Sequence, residues 1–194
     1  MSQANSVGGV SNVQSNIFAA DSNQFNVLLE TAAVMQDTLN TVTKSSQSQV
    51  DTMRKNNAMA SKAQEQASAA QTLIDGIDTK KDFDKQTATV EQNSDLVKFL
   101  KENGIQITND KGTKVSIDQY LTFAGSPPTA NATMGQLKAM KSALDIAVQN
   151  ANSGNTMLNL DVQKTSAAYQ QLIQAISSLI DKINSLIGAI NQKM

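Results

Sequence analysis

From Phe25 onward the seam positions of the chain recur in alternating steps of three and four. They run through Phe25, Leu28, Ala32, Met35, Leu39 and Val42, then Ser46, Gln49, Met53 and Asn56, and finally Ala60, Ala63, Ala67, Ala70, Ile74 and Ile77. This is heptad spacing and predicts a long amphipathic helix. Asp21 followed three residues later by Gln24 is a capping-box pattern for its start, and Gly76 supplies a stop. At 1.5 Å per residue, a helix of about 50 residues runs ~75 Å. Its middle is weak, because Ser46, Gln49 and Asn56 occupy seam places and four alanines follow. Small and polar seam residues let a partner approach closely but bury little apolar area, which is worth roughly 25 cal/mol per Å². The helix therefore needs a partner to persist.

The C-terminal pattern is stronger. With Val162, Tyr169, Ile176, Ile183 and Ile190 at heptad position a, Leu158, Thr165, Leu172, Leu179 and Leu186 fall at d. Ile or Val at a with Leu at d is coiled-coil grammar. Ile173, Ile180 and Ile187 then occupy successive e positions, so the apolar stripe is too wide for one partner helix. The N-terminal helix can cover a and d as an antiparallel partner. The e-face isoleucines want a further surface, either the third helix of an ordinary bundle or another molecule, and the pattern leaves both open.

The only prolines, Pro127 and Pro128, and most of the glycines after Gly9 lie between the long helices. Residues 80–93 are charged and aperiodic, which suits a linker or a frayed helix end. Ser94 is placed to cap a short helix, Asp95-Leu96-Val97-Lys98-Phe99-Leu100-Lys101-Glu102-Asn103, that ends at Gly104. Ile105 and Ile107 face Val115 across the turn Asn109-Asp110-Lys111-Gly112, a hairpin signal. Ser116 with Gln119, and Thr133 with Gln136, are further capping boxes. Phe83, Phe99, Tyr120 and Phe123 suggest a small core of this module's own. A polar stretch at Ser153-Gly154 separates the helix of Leu137, Met140 and Leu144 from the C-terminal coil, by a stop or a kink.

Composition narrows the function classes. Ser, Thr, Asn and Gln make 73 of 194 residues, aromatic residues only 4%, and neither Cys nor His occurs. That removes thiol nucleophiles, disulfides, imidazole bases and the common zinc and haem ligands. The net charge of −1, with Arg54 the single arginine, argues against a nucleic-acid surface. The most apolar stretch, residues 172–190, is interrupted by Gln174, Ser177, Ser178, Asp181, Lys182, Asn184 and Ser185 and predicts no membrane span. The N-terminus has no basic or apolar region of the secretory-signal kind, so export would use another route. Its first 20 residues, polar and rich in Ser, Asn and Gln, read as disordered.

Candidate chemistry is sparse. Asp75, Asp78, Asp82 and Asp84 form the one carboxylate cluster, but their order is not that of a calcium loop, and a solvated helix end is the better reading. Gly8 and Gly9 lack the Lys and Ser/Thr of a phosphate loop. Met35, Met53 and Met140 fill helix seams rather than forming a soft binding face. Gln170, Gln171 and Gln174 read as exposed polar positions as readily as pore-lining ones. No catalytic residues, metal or cofactor are expected, and the chain reads as a non-enzyme.

The ordered segments Leu96-Val97-Lys98-Phe99-Leu100-Lys101-Glu102-Asn103-Gly104-Ile105-Gln106-Ile107, Val115-Ser116-Ile117-Asp118-Gln119-Tyr120-Leu121 and Leu137-Lys138-Ala139-Met140-Lys141-Ser142-Ala143-Leu144-Asp145 carry a family resemblance. With the long flanking helices, they resemble the EspA/SseB family of type III secretion filament proteins and are closest in pattern to its SseB branch. The resemblance implies secretion by a type III apparatus, helical polymerisation into a hollow extracellular filament that extends the needle, and passage of translocators and effectors to the host cell. It also implies a cytoplasmic type III chaperone, the needle subunit and translocator proteins as partners, with host membrane contact only indirect. The alternatives are a needle-tip protein of the same system or a cytoplasmic coiled-coil chaperone or adaptor.

The reading is a mainly α fold in which long antiparallel N- and C-terminal helices form a coiled coil carrying a small α+β central module. Its parts are a disordered export signal over 1–20, a long helix over 21–79, the module over 80–130 and C-terminal helices with the polymerising coil over 131–194. The expected self-assembly interface is Leu158, Val162, Tyr169, Leu172, Ile173, Ile176, Leu179, Ile180, Ile183, Leu186, Ile187 and Ile190. The turn Asn109, Asp110, Lys111 and Gly112 is expected to be exposed on the module.

Overall fold

No glycine or proline interrupts the chain from Val10 to Asp75, and helix α1 (Gly8–Asp75) uses the whole interval. The computed structural model describes residues 8–77 and 87–193, with side-chain environments from Asn23 onward within those ranges. The expected helix start at Asp21 is corrected. Asp21 and Gln24 lie inside α1, which continues back to Gly8 because Val10, Val13 and Ile17 already follow three- and four-residue steps. The part of the expected export signal before Gly8 lies outside the described residues. Within α1, the β-branched Thr31, Thr38, Thr41 and Thr43 donate their hydroxyls to carbonyls four residues back at 2.7–3.0 Å, which satisfies each hydroxyl locally while sharing a carbonyl of the helix ladder.

The chain divides into two compact units, Met1–Gln49 with Leu160–Met194, and Val50–Asn159. The fold is mainly α, with α1 packing against α4 (Met134–Lys193). The stop or kink expected at Ser153-Gly154 is replaced by uninterrupted helix. A single helical glycine costs about 1 kcal/mol relative to alanine, and here it permits contact: a Cβ on Gly154 would sit 3.2 Å from Asn56 Nδ2 of α1. Beside it, Asn155 is buried and donates from Nδ2 to Asn57 Oδ1 at 2.6 Å, while its own Oδ1 finds no partner.

The second unit also contains β1 (Thr87–Glu91), α2 (Asp95–Glu102), β2 (Ile107–Thr108), β3 (Lys114–Val115), α3 (Ile117–Tyr120) and β4 (Thr129–Thr133). The expected hairpin is present, with Ile107 opposite Val115. Asn109 closes its turn by accepting the Lys111 and Thr113 amide hydrogens on Oδ1, at 3.0 and 2.9 Å. Gly112 sits at φ +75, a left-handed conformation that disfavours other residues. Gln119 Oε1 accepts from the Ser116 amide at 3.2 Å. At the start of α4, Thr133 and Gln136 cap each other's amides at 2.9 and 3.2 Å. Ser94 occupies the N-cap position of α2, but its hydroxyl donates to the Glu91 carbonyl at 2.7 Å instead of capping.

Two further expectations are corrected. The aperiodic stretch over 80–93 contains strand β1, which pairs antiparallel with β4 in the register Thr87 to Thr133 through Glu91 to Thr129. Its inward positions are Val90, Ala130 and Ala132, which belong to the buried cluster, and Ala88, which packs against it. The module also has no separate core. Leu100, Ile107 and Ile117 share one buried cluster with Ala63, Ala67 and Ala70 of α1 and with Leu137, Met140 and Leu144 of α4. Fully burying each large side chain contributes about 1.5–3 kcal/mol, and here that contribution depends on both long helices being in place.

Candidate assembly surface

The seam read from the sequence is the one that packs: every seam position from Phe25 to Ile77 is buried or half-buried. On α4 the anticipated interface separates into two sets. Leu179 is buried, and Leu158, Val162, Leu172, Ile176, Ile183, Leu186 and Ile190 are half-buried. Tyr169, Ile173, Ile180 and Ile187 are exposed, the last three at 40%, 50% and 42%. A cause is visible in the unit formed by Met1–Gln49 and Leu160–Met194. Asn23, Gln24, Val27 and Leu28 of α1 border one groove with Asp181, Lys182, Ser185 and Leu186 of α4, which occupy positions f, g, c and d, on the side of the helix away from the e row. The e side of α4 keeps its isoleucines in solvent.

Isoleucine is an expensive residue to leave wet at seven-residue intervals on a helix, because its branched chain also lowers helix propensity. Tyr169 adds an amphipathic ring one turn before Ile173. Val27 and Val34, seven apart on α1, are exposed at 56% and 66%, with Leu29 at 46%; Met157 and Leu160 are also exposed on α4. None of these five belonged to the anticipated interface. Val27-Leu28-Leu29 in succession was the available signal, since three consecutive apolar residues must wrap beyond a narrow seam.

The surface offers little chemistry. Among the described residues no three acidic side chains converge as a metal site, and no helix is long and apolar enough to cross a membrane. Asp78, Asp82 and Asp84 of the anticipated carboxylate cluster lie outside the described residues. Burial raises the Tyr120 phenol above its ordinary value, and Asp110, on the hairpin turn, raises it further. Lys101 of α2 pairs with Asp118 of α3 at 2.7 Å, but both are substantially exposed, and such pairs contribute about 0–1 kcal/mol. Asp110, Lys111 and Gly112 are exposed at the tip of the hairpin, and Asn109 is half-buried as it closes the turn.

No curated protein and no solved structure matches the chain. A family model described as EspA-like secreted protein matches residues 3–189. With that match spanning almost the whole sequence, including both long helices and the module between them, the chain belongs to the EspA-like secreted protein family.

Proposed function

We propose that the protein is the structural subunit of an extracellular type III secretion filament, which extends the needle and conducts translocators and effectors to the host cell. The observation that carries this reading is the row Ile173, Ile180 and Ile187, still exposed after α1 has packed against α4. Such a row gains stability only by contact with another molecule. A face that meets an unlike face on the next copy gives a head-to-tail contact, and head-to-tail contacts that do not close into a ring build open helical polymers. Folding and assembly are then coupled, because neighbours stabilise each copy by mass action.

The same row needs cover before export, which gives the type III chaperone its role in the cytoplasm. The N-terminal segment over 1–20 acts as the export signal, and the needle subunit and translocator proteins meet the filament at its ends. Contact with host membrane is indirect, through the translocators. Negative-stain microscopy of the purified full-length protein tests the proposal. Long hollow filaments are expected; closed rings would favour a needle-tip role, and dispersed particles at high concentration would favour a chaperone or adaptor.

A further inference from the structure

Among the described residues, no strand lies beside the outer edge of β1. Its ladder with β4 continues to the Gln92 amide, which donates to the Pro128 carbonyl at 3.0 Å. Alternation in an antiparallel pair therefore assigns the main-chain groups of Ala88 and Val90 to β4 and turns those of Thr89 and Glu91 the other way. The Glu91 carbonyl is used by the Ser94 amide and hydroxyl. The Thr89 N–H and C=O and the Glu91 N–H have no strand beside them among the described residues, where the sheet consists of β1 and β4 alone. An open edge of this kind is a template for another strand.

A groove of about 540 Å³ runs along that edge, walled on the far side by α1 at Gln66, Ala69 and Leu73. Gln66 is only 9% exposed and lines this groove. A carboxamide carries both donors and an acceptor, which suits a peptide main chain. The charged residues lining the groove are Glu65, Glu91 and Asp95, all acidic. Glu65, Gln66 and Asp95 also line an adjoining depression, which Lys62 and Lys98 border; Glu91 faces the first groove alone.

We propose that this groove receives an extended, basic segment of a partner protein, which adds as a strand to the edge of β1. Its main chain pairs with Thr89 and the Glu91 amide, Gln66 bonds it from the α1 side, and its lysine or arginine side chains lie over Glu65, Glu91 and Asp95. Strand addition takes affinity from main-chain bonds and selectivity from alternate side chains. The charge of the groove selects a basic segment over an acidic one. This inference is independent of the filament reading, because the groove lies wholly within the unit Val50–Asn159 and uses none of the exposed isoleucines.

The test uses the full-length protein and a capped hexapeptide of alternating lysine and valine, with amide hydrogen exchange and fluorescence anisotropy as readouts. Saturating peptide is expected to slow exchange at Thr89 and Glu91 at least tenfold. Replacing its lysines by glutamates, or N-methylating the residues whose amides face β1, is expected to abolish binding. Glu91→Lys and Gln66→Leu should each weaken binding about tenfold at unchanged helicity; Glu91 is exposed, so that variant does not depend on repacking. The proposal is overturned if the peptide leaves both amides unaffected, or if the N-methylated peptide binds equally well. It is also overturned if the two amides are already protected in the free protein, which would mean that the chain's own residues fill the edge. Protection that appears with protein concentration alone would assign the edge to a second copy and likewise overturn it.

Discussion

Shaving the exposed isoleucines one at a time should weaken assembly in measurable steps without weakening the fold. Fully burying an isoleucine contributes about 1.5–3 kcal/mol, and Ile180 has half of its surface left to bury. Ile180→Ala should therefore cost a polymer contact about 1 kcal/mol. At 1.4 kcal/mol per tenfold, that is roughly a fivefold rise in the critical concentration for polymerisation. Ile173 and Ile187 are exposed to 40% and 42%, so the triple alanine variant should lose about 3 kcal/mol and raise the critical concentration on the order of a hundredfold. The folded subunit should not suffer, because alanine favours helix over isoleucine by a few tenths of a kcal/mol at an exposed site. Ile180→Asp goes further by stranding a carboxylate in the contact, at a cost of several kcal/mol, and should abolish polymers. Sedimentation across a dilution series gives the critical concentration, and circular dichroism melts of the dilute protein report the fold. Unchanged critical concentrations in the triple variant, or a lowered melting temperature at equal helicity, would refute the assignment of this row to assembly.

Four further outcomes follow from the geometry. Inserting a short epitope between Asp110 and Lys111 should leave assembly intact and let antibody decorate the polymer along its length, whereas Gly112→Ala should cost about 1 kcal/mol through its left-handed backbone, read by denaturant unfolding. Because Tyr120 holds its proton more tightly when folded, its contribution is fully present below about pH 10 and is lost as pH rises through the higher folded value. Tyr120→Phe should flatten that alkaline fall in stability, and an unchanged pH profile would count against the burial argument. Asn155→Leu removes a buried carbonyl without a partner and frees the exposed Asn57 to water, so it should raise the melting point by the equivalent of about 1–2 kcal/mol; a loss of stability would mean that the amide pair contributes more than it costs.

The long helices were legible because their information is local and periodic. Each seam residue from Phe25 to Ile77 could be placed from its neighbours three and four away, and the same held for the e-face isoleucines. The turn at Asn109 to Gly112 and the Thr133 to Gln136 box were legible because a side chain there bonds to backbone two to four residues distant. What was not legible depended on distant chain. Thr87–Glu91 is a strand because Thr129–Thr133 lies beside it; the β-branched Thr87, Thr89 and Val90 were the available signal, but five residues are too few to fix a strand without the partner. Gly154 reads as a helix breaker until Asn56 is placed against it. The edge of β1 that no described strand covers was invisible for the same reason, since an unmet main-chain hydrogen bond can be recognised only once the neighbours are placed.

The ladder between β1 and β4 draws the two ends of the intervening chain together at a single neck. Thr87 stands beside Thr133, and α4 begins at the very next residue. Everything between Gln92 and Pro128 thus behaves as a cassette whose length does not alter the heptad phase of either long helix. Its inward face is held fixed by the buried contacts of Leu100, Ile107 and Ile117 with both helices, but its outer rim answers to no such constraint. Sequence change can therefore rewrite that rim, lengthening or recharging the Asn109 to Gly112 tip, while the exposed isoleucine row on α4 stays in register.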